Sequence, residues 1–274
     1  VYFAPNWNGV ATHAEVLRYD TTCDFESAVC WESCVPAGAT GGFFGAVFDG
    51  QFVYFVPYGG FGENGQVVRY DTSLPFCGGP SWETFDAKAA PLSAKGGYIR
   101  GAFDDRYVYF APYVAAGSGW HGEVLRYDTT QPFAASASWE KFDAAAGLGA
   151  KRGYHGAVVA GNYLYFIPYA SGNGTMHGEV LRFNRMATFT DPGSWEKYDY
   201  GDDSNGCATQ QVRIGVACVD PDGYSGGVFD GDRYIYFAQT QGEGGDAGMS
   251  GEILRYDTTQ PFSAAASWTA FDPG

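Results

Sequence analysis

EVLRYDTTQPF at 123–133 and EILRYDTTQPF at 252–262 agree at ten of eleven positions. A chain that writes one strand and one turn twice has a period, and the period decides the fold. The motif stands in looser form from Glu15 (EVLRYD), Gln66 (QVVRYD) and Glu179 (EVLRFN). Each copy is a short run rich in aromatic and β-branched residues that ends on Asp or Asn, which reads as a strand entering a turn.

Working outward, an aromatic strand precedes every copy: VYFAP at 1–5, VYFVP at 53–57, VYFAP at 108–112, LYFIP at 164–168 and IYFAQ at 235–239. Another follows, centred on Trp31, Trp82, Trp139, Trp195 and Trp268. A fourth occurs only four times, as FGAVFDG from Phe44, RGAFDD from Arg100, HGAVVAG from His155 and SGGVFDG from Ser225. Within one unit the order is a (G-A-V-F-D-G), b (Y-V-Y-F-x-P), c (E-V-L-R-Y-D) and d (S-W-E-x-F-D).

Four strands per unit, in five units of roughly 55 residues, predict an all-β fold: a five-bladed β-propeller of four-stranded antiparallel blades. The blades fall at 1–35, 42–86, 97–143, 153–199 and 223–272 of a single domain, 1–274. One blade cannot bury both faces alone, so each repeats the same contact with its neighbour. The first blade lacks its inner strand a. A bare gap there would leave unpaired backbone groups, so the natural polypeptide is expected to extend beyond one of these ends.

The turns agree with this. Asp-Gly in FDGQFVYF marks a tight a–b hairpin. In DTTQPF the Asp and Thr side chains can cap the c–d turn, and Pro stiffens it. Arg18 and Asp20, and their counterparts, lie two apart and share a strand face. With Glu15 and its counterparts they are expected to form a polar belt between blades, structural rather than catalytic because every repeat has it.

SWEKFD at 138–143, KRGYHGAVVAGNYLYF at 151–166 and EVLRF at 179–183 together resemble a kelch repeat, with its Trp-bearing outer strand, Arg-x-x-His-Gly lead into the inner strand and aromatic second strand. The resemblance covers essentially the whole chain. It implies the propeller fold and this strand order, and no particular activity. The chain departs from the kelch pattern where Pro57, Pro112 and Pro168 replace the usual Gly-Gly, and it has fewer repeats than kelch propellers usually have.

A formal net charge of −15 repels a phosphate backbone, so no nucleic-acid partner is expected. No apolar run approaches the roughly 18 residues of a membrane-spanning helix. The six cysteines form no CxxC pair and read as disulfides made in an oxidising compartment, hence a secreted or periplasmic protein. The expected pairs are Cys23–Cys30, Cys34–Cys77 and Cys207–Cys218; the alternative is buried free thiols.

In this strand order the a–b and c–d turns share one face, and the b–c and d–a loops share the other. The first set is stereotyped. The second varies, from GGFGEN at 59–64 to TQGEGGDAGMS at 240–250, with a long d–a loop at 200–224. Variation on a rigid scaffold marks recognition. Candidate ligand-binding residues there are Phe44, Arg100, His155 and Ser225, at the start of strand a. His13, His121 and His177 share one position, two before the Glu of strand c, and Trp7 and Trp120 stand in the loops. Tyr58, Tyr113 and Tyr169 add rings after the strand-b prolines. For the three equivalent histidines the alternative is a shared structural task, hydrogen bonding to loop carbonyls. Strand c is third from the axis and keeps them apart, so no metal site is expected, and no cofactor. GDDSNG at 201–206 hints at calcium but lacks the Asp that opens a calcium loop.

These features point to a non-catalytic binding module for a carbohydrate or a protein, sugar C–H faces stacking on the rings. The alternative is a five-bladed glycoside hydrolase or a metal-dependent enzyme with its site at the central channel mouth. Glycoside hydrolysis needs two carboxylates roughly 5–10 Å apart, and the strand-a starts offer neither Asp nor Glu. No nucleophile elbow, phosphate loop or HExxH occurs, so no catalytic residue is assigned. A structural or storage role is the third option.

Overall fold

The computed structural model describes residues 1–60, 62–172, 175–200, 212–213, 222–239 and 253–272. The protein is all-β, with antiparallel sheets that follow the repeat. The first sheet holds β1 (Tyr2–Phe3), β2 (Val16–Tyr19) and β3 (Trp31–Cys34). The second holds β4 (Phe43–Phe48), β5 (Phe52–Pro57), β6 (Gln66–Asp71) and β7 (Trp82–Asp86). The third begins with β8 (Tyr98–Phe103) and β9 (Tyr107–Pro112). A small ribbon of β10 (Val114–Ala115) and β11 (Gly119–Trp120) then leads to β12 (Glu123–Asp128) and β13 (Trp139–Asp143). One short helix, α1 (Ala144–Leu148), is capped by the Asp143 carboxylate, which accepts from Ala145 and Ala146.

The fourth sheet holds β14 (Tyr154–Ala160) and β15 (Tyr163–Pro168), a ribbon of β16 (Ala170–Ser171) and β17 (Thr175–Met176), then β18 (Glu179–Asn184) and β19 (Trp195–Asp199). The fifth holds β21 (Tyr224–Phe229), β22 (Tyr234–Gln239), β23 (Ile253–Asp257) and β24 (Trp268–Asp272). The sequence gives no sign of its extra member: β20 (Val212–Arg213), from the long d–a loop, pairs parallel with β24. The chain forms two compact units, 1–119 with 125–141 and 120–124 with 142–274.

The c–d connection shows why the block recurs. Asp20, Asp71, Asp128 and Asp257 each accept from the backbone N–H and the hydroxyl two residues on, at Thr22, Ser73, Thr130 and Thr259. The preceding Tyr donates its hydroxyl to the carbonyl four residues on, as Tyr127 does to Gln131 at 2.6 Å. The indole N–H of each repeat's Trp reaches back to a Phe carbonyl, as Trp139 does to Phe133 at 2.9 Å. The polar groups of the turn are thus satisfied inside their own repeat.

The expected belt needs two corrections: Glu15 accepts from the Ser33 hydroxyl and Glu179 pairs with Lys197, not with the motif arginines. Asp is taken up by the turn, so Arg carries the belt with the Glu of the following strand: Arg18–Glu32 at 2.5 Å, Arg69–Glu83 at 2.7 Å, Arg126–Glu140 at 2.6 Å and Arg182–Glu196 at 2.9 Å. Arg69 also lies over Phe52 of its own sheet and Phe133 of the next, 4.3 and 4.4 Å from the ring centroids, and donates to the Tyr127 hydroxyl. Arg182 joins the fourth sheet to the fifth in the same way, through Tyr163, Phe262 and Tyr256. A planar guanidinium stacks and forks at once, which an ammonium cannot do.

The cores lie between consecutive sheets of each unit. Phe85 stacks on Trp139 at 4.4 Å across the second and third sheets, and Tyr198 on Trp268 at 5.4 Å across the fourth and fifth. The strand-b residues Val53, Phe55, Val108, Phe110, Leu164, Phe166, Ile235 and Phe237 are at most 4% exposed. Cys23–Cys30 and Cys34–Cys77 are bonded as expected, with Cα atoms 5.8 and 5.6 Å apart. Cys207 and Cys218 lie outside the described residues. Among those described, no helix is long and apolar enough to cross a membrane.

Candidate functional site

The b–c loops end on one recurring residue: His13, Asn64, His121 or His177. The His13 and His121 Nδ1 atoms accept from the N–H of Glu15 and Glu123, each at 3.3 Å. Asn64 accepts from Gln66 N–H at 2.9 Å and donates to the Gly41 carbonyl at 2.8 Å. His177 donates through Nε2 to the carbonyls of Arg152 at 2.9 Å and Gly153 at 3.2 Å. The main-chain carbonyl of each then accepts from a glycine leading the next inner strand: Gly42, Gly97, Gly153 and Gly223. One residue thus staples its loop to the following repeat. His121 and His177 are 2% and 3% exposed, and burial lowers the His177 pKa to about 4. His13 is half-buried. Only the His177 ring bonds loop carbonyls in this way; the His13 and His121 rings accept from strand N–H groups.

At the inner strands the register expected for Arg100 is corrected by one residue. Gly101 pairs with Phe110 as Ala46 pairs with Phe55 and Ala157 with Phe166. Ile99, not Arg100, is therefore the counterpart of Phe44, His155 and Ser225. Arg100 occupies a bulge where other sheets carry glycine: Gly45 and Gly156 adopt φ of 96° and 131°, and Arg100 a left-handed 51°. A Cβ on Gly45 would lie 3.2 Å from Arg100 Cγ, so that glycine leaves room for the Arg100 stem. Partial burial lowers the Arg100 pKa.

Two aromatic ladders rise beside these strands. In the first unit Phe44 meets Tyr58 edge-on at 5.8 Å, and Tyr58 meets Tyr113 at 5.9 Å. In the second unit Trp120 neighbours Tyr169 at 6.2 Å, and Tyr169 neighbours His155 at 4.7 Å. His155 Nδ1 bonds the Ser225 carbonyl at 3.0 Å. Trp120, His155 and Ser225, remote in sequence, are therefore brought together within that unit.

The first unit also contains a cavity of about 620 Å³, lined by Trp7, Thr40, Glu63, Gln66, Asp86 and Lys88 among others. Trp7 is 57% exposed. Its loop is fixed by Asn8, whose side-chain oxygen accepts from the N–H groups of Val10 and Ala11, each at 2.9 Å. Lys88 Nζ donates to the Glu63 carbonyl at 2.8 Å, and Lys88 N–H to the Asp86 carboxylate at 2.9 Å. A side chain on Gly65 would collide with Lys88, so that glycine lets the lysine cross the loop. Gln66 accepts from Thr40 N–H at 2.8 Å and donates to the Gly38 carbonyl at 3.0 Å. An apolar ring thus faces acceptors and donors held by their own partners.

Of the named candidate ligand-binding residues only Trp7 lines this cavity, although the variable loop 59–64 contributes Glu63 and Asn64. As individual residues, Thr40, Glu63, Gln66, Asp86 and Lys88 were missed. A signal existed: this repeat alone has Asn64 and Gln66 where the first, third and fourth repeats have His and Glu. Among the described residues no cluster of three His, Cys, Asp or Glu could hold a metal ion. The stretch 201–206 and the loop 240–250 lie outside the described residues.

Fold and site together define a repeat-built all-β protein with several antiparallel sheets. No protein-family model and no curated protein matches the chain. Among solved structures it is similar to YjhT, at 14% identity and a TM-score of 0.49, over 93% of this chain and 76% of that one.

Proposed function

We propose that this protein is a kelch-like, five-bladed propeller of one domain that acts as a secreted, non-catalytic carbohydrate-binding module. The observation that carries this reading is Trp7, a large ring left 57% exposed on the wall of a cavity that also carries charged and amide side chains. Pyranose rings present apolar C–H faces to stack on such a ring and hydroxyls to bond side chains such as Glu63, Gln66, Asp86 and Lys88. A concave site of this size, mixing an apolar wall with a few polar side chains, suits a sugar better than a protein surface. The Trp120–Tyr169–His155 ladder with Ser225, and the Phe44–Tyr58–Tyr113 ladder beside Arg100, are secondary subsites, and weak sites on one scaffold add by multivalency. His13, His121 and His177 hold the loops of their own repeats rather than a ligand. The two disulfides support an oxidising compartment.

A second reading, glycoside hydrolysis, has one observation in its favour: Glu63 and Asp86 both line the cavity. A glycan array read beside a hydrolysis screen on the same sample tests both. Binding without turnover supports the module. Turnover that disappears in Glu63→Gln or Asp86→Asn replaces it with the hydrolase. Repeating the array in chelator tests for calcium at 201–206.

A further inference from the structure

Four Asn-Gly pairs occur in the sequence, at 8–9, 64–65, 173–174 and 205–206. The last two lie outside the described residues. An asparagine amide is a latent electrophile, open to attack at Cγ by the main-chain nitrogen of the next residue. Glycine, with no Cβ, hinders that approach least. The fold treats the first two pairs in opposite ways.

Asn64 is guarded. It is 8% exposed, and its Nδ2 donates to the Gly41 carbonyl at 2.8 Å. Its Oδ1 accepts from Gln66 N–H at 2.9 Å and from the Thr40 hydroxyl at 3.1 Å. Gly65 is buried against the Lys88 stem. The amide nitrogen that would have to leave is tied, and solvent base is kept from the nucleophile.

Asn8 is open. Asn8 and Gly9 are both exposed, and a Cβ on Gly9 would meet nothing within 4 Å. Among the described residues no acceptor takes the Gly9 N–H. The Asn8 side-chain oxygen accepts from the N–H groups of Val10 and Ala11, each at 2.9 Å. Those donors lie where negative charge gathers when Cγ becomes tetrahedral, as an oxyanion hole does in acyl transfer. The turn is closed by Asn8 N–H to the Ala11 carbonyl at 3.2 Å and by the Trp7–Thr12 bridge.

We propose that Asn8 is a self-modification site, converted through a succinimide with Gly9 to aspartate and isoaspartate. Hydroxide removes the Gly9 amide proton, and the nitrogen bonds to Asn8 Cγ. The Cγ–Nδ2 bond breaks, and ammonia leaves with a proton from water. Water then opens the ring. Cleavage at Cγ gives aspartate on an unchanged main chain. Cleavage at the main-chain carbonyl gives isoaspartate, in which the Cβ methylene has joined the main chain. The net change is water in and ammonia out. The aspartate product keeps an acceptor for Val10 and Ala11. In the isoaspartate product the former side-chain carbonyl belongs to the main chain, so the turn loses its cap and Trp7 loses its fixed place on the cavity wall. The inference does not rest on the carbohydrate reading.

The test is incubation of the folded chain in mildly alkaline buffer beside a sample unfolded in guanidinium chloride. Peptide mapping by mass spectrometry and enzymatic methylation of isoaspartate follow the products. Unfolded, Asn8 and Asn64 should react alike, since glycine follows both. Folded, Asn8 should react at least as fast as in the unfolded chain and at least about tenfold faster than Asn64. Slower reaction of Asn8 in the folded chain, or equal reaction of the two asparagines there, would overturn the proposal. In the isoaspartate fraction, resolved by ion exchange, the Val10 and Ala11 amides should exchange hydrogen faster than in unmodified protein. Unchanged protection would overturn the claimed opening of the turn.

Discussion

His177 offers a prediction that separates a structural clamp from a ligand contact. It is 3% exposed, and burial lowers its pKa to about 4 against an ordinary 6.5. At pH 7 the ring is neutral in folded and unfolded chains alike. As pH falls below 6.5 the unfolded chain takes up a proton that the folded protein refuses, so stability is lost from pH 6.5 downward until the folded ring itself titrates near 4. Each pH unit in that window is worth about 1.4 kcal/mol, so His177 should account for about 3 kcal/mol between pH 7 and pH 4. Asn64 holds the equivalent position with an amide that donates to Gly41 and accepts from Gln66. His177→Asn should therefore keep the clamp and remove the proton linkage. Carboxylates lowered by hydrogen bonds, such as Asp71 and Asp128, act equally in both proteins and cancel. Urea unfolding at pH 7 and pH 4 measures the effect. Wild type should lose about 3 kcal/mol more than His177→Asn. Parallel losses in the two proteins would refute the reasoning.

Three further outcomes are expected. Cys34–Cys77 closes a loop across 43 residues, so replacing both by Ser should cost up to about 4 kcal/mol in urea unfolding, and no loss would mean that packing alone fixes the first two sheets. Arg69→Lys keeps the charge but forfeits the stacking on Phe52 and Phe133, and should cost about 1–2 kcal/mol by the same assay; wild-type stability would reduce the belt to point charges. Arg100→Gly should raise the melting temperature, stabilising by up to about 1 kcal/mol, because the bulge at φ 51° suits glycine; a fall would show that the Arg100 stem over Gly45 outweighs the strain.

The strands were legible because every repeat prints its own boundaries. The Asp that stops strand c is the residue whose carboxylate caps the turn, and the Trp of strand d binds back to its own turn. Local chemistry of that kind needs no knowledge of neighbours. Arg100 was misplaced for the opposite reason: a bulge adds a residue without a sequence mark, and in its sheet alone the left-handed position is not glycine. Asp20 and its counterparts were assigned to the belt because alternation fixes a face but not a partner. The cavity was half legible. Trp7 stood out as an exposed ring, whereas Glu63, Asp86 and Lys88 converge only through loop paths set by Gly59 and Gly65. The ribbons β10–β11 and β16–β17 are two residues per strand, too short to carry a period.

The central claim is that a sugar sits in the Trp7 cavity. A crystal structure with the strongest array ligand, paired with titration of Trp7→Ala, tests it most directly. The account predicts a pyranose ring stacked on the Trp7 indole with hydroxyls at Glu63 or Asp86, and a loss of affinity of at least about tenfold in Trp7→Ala with unchanged stability. Density at the Trp120–Tyr169–His155 ladder with an empty Trp7 cavity, or undiminished binding by Trp7→Ala, would contradict it.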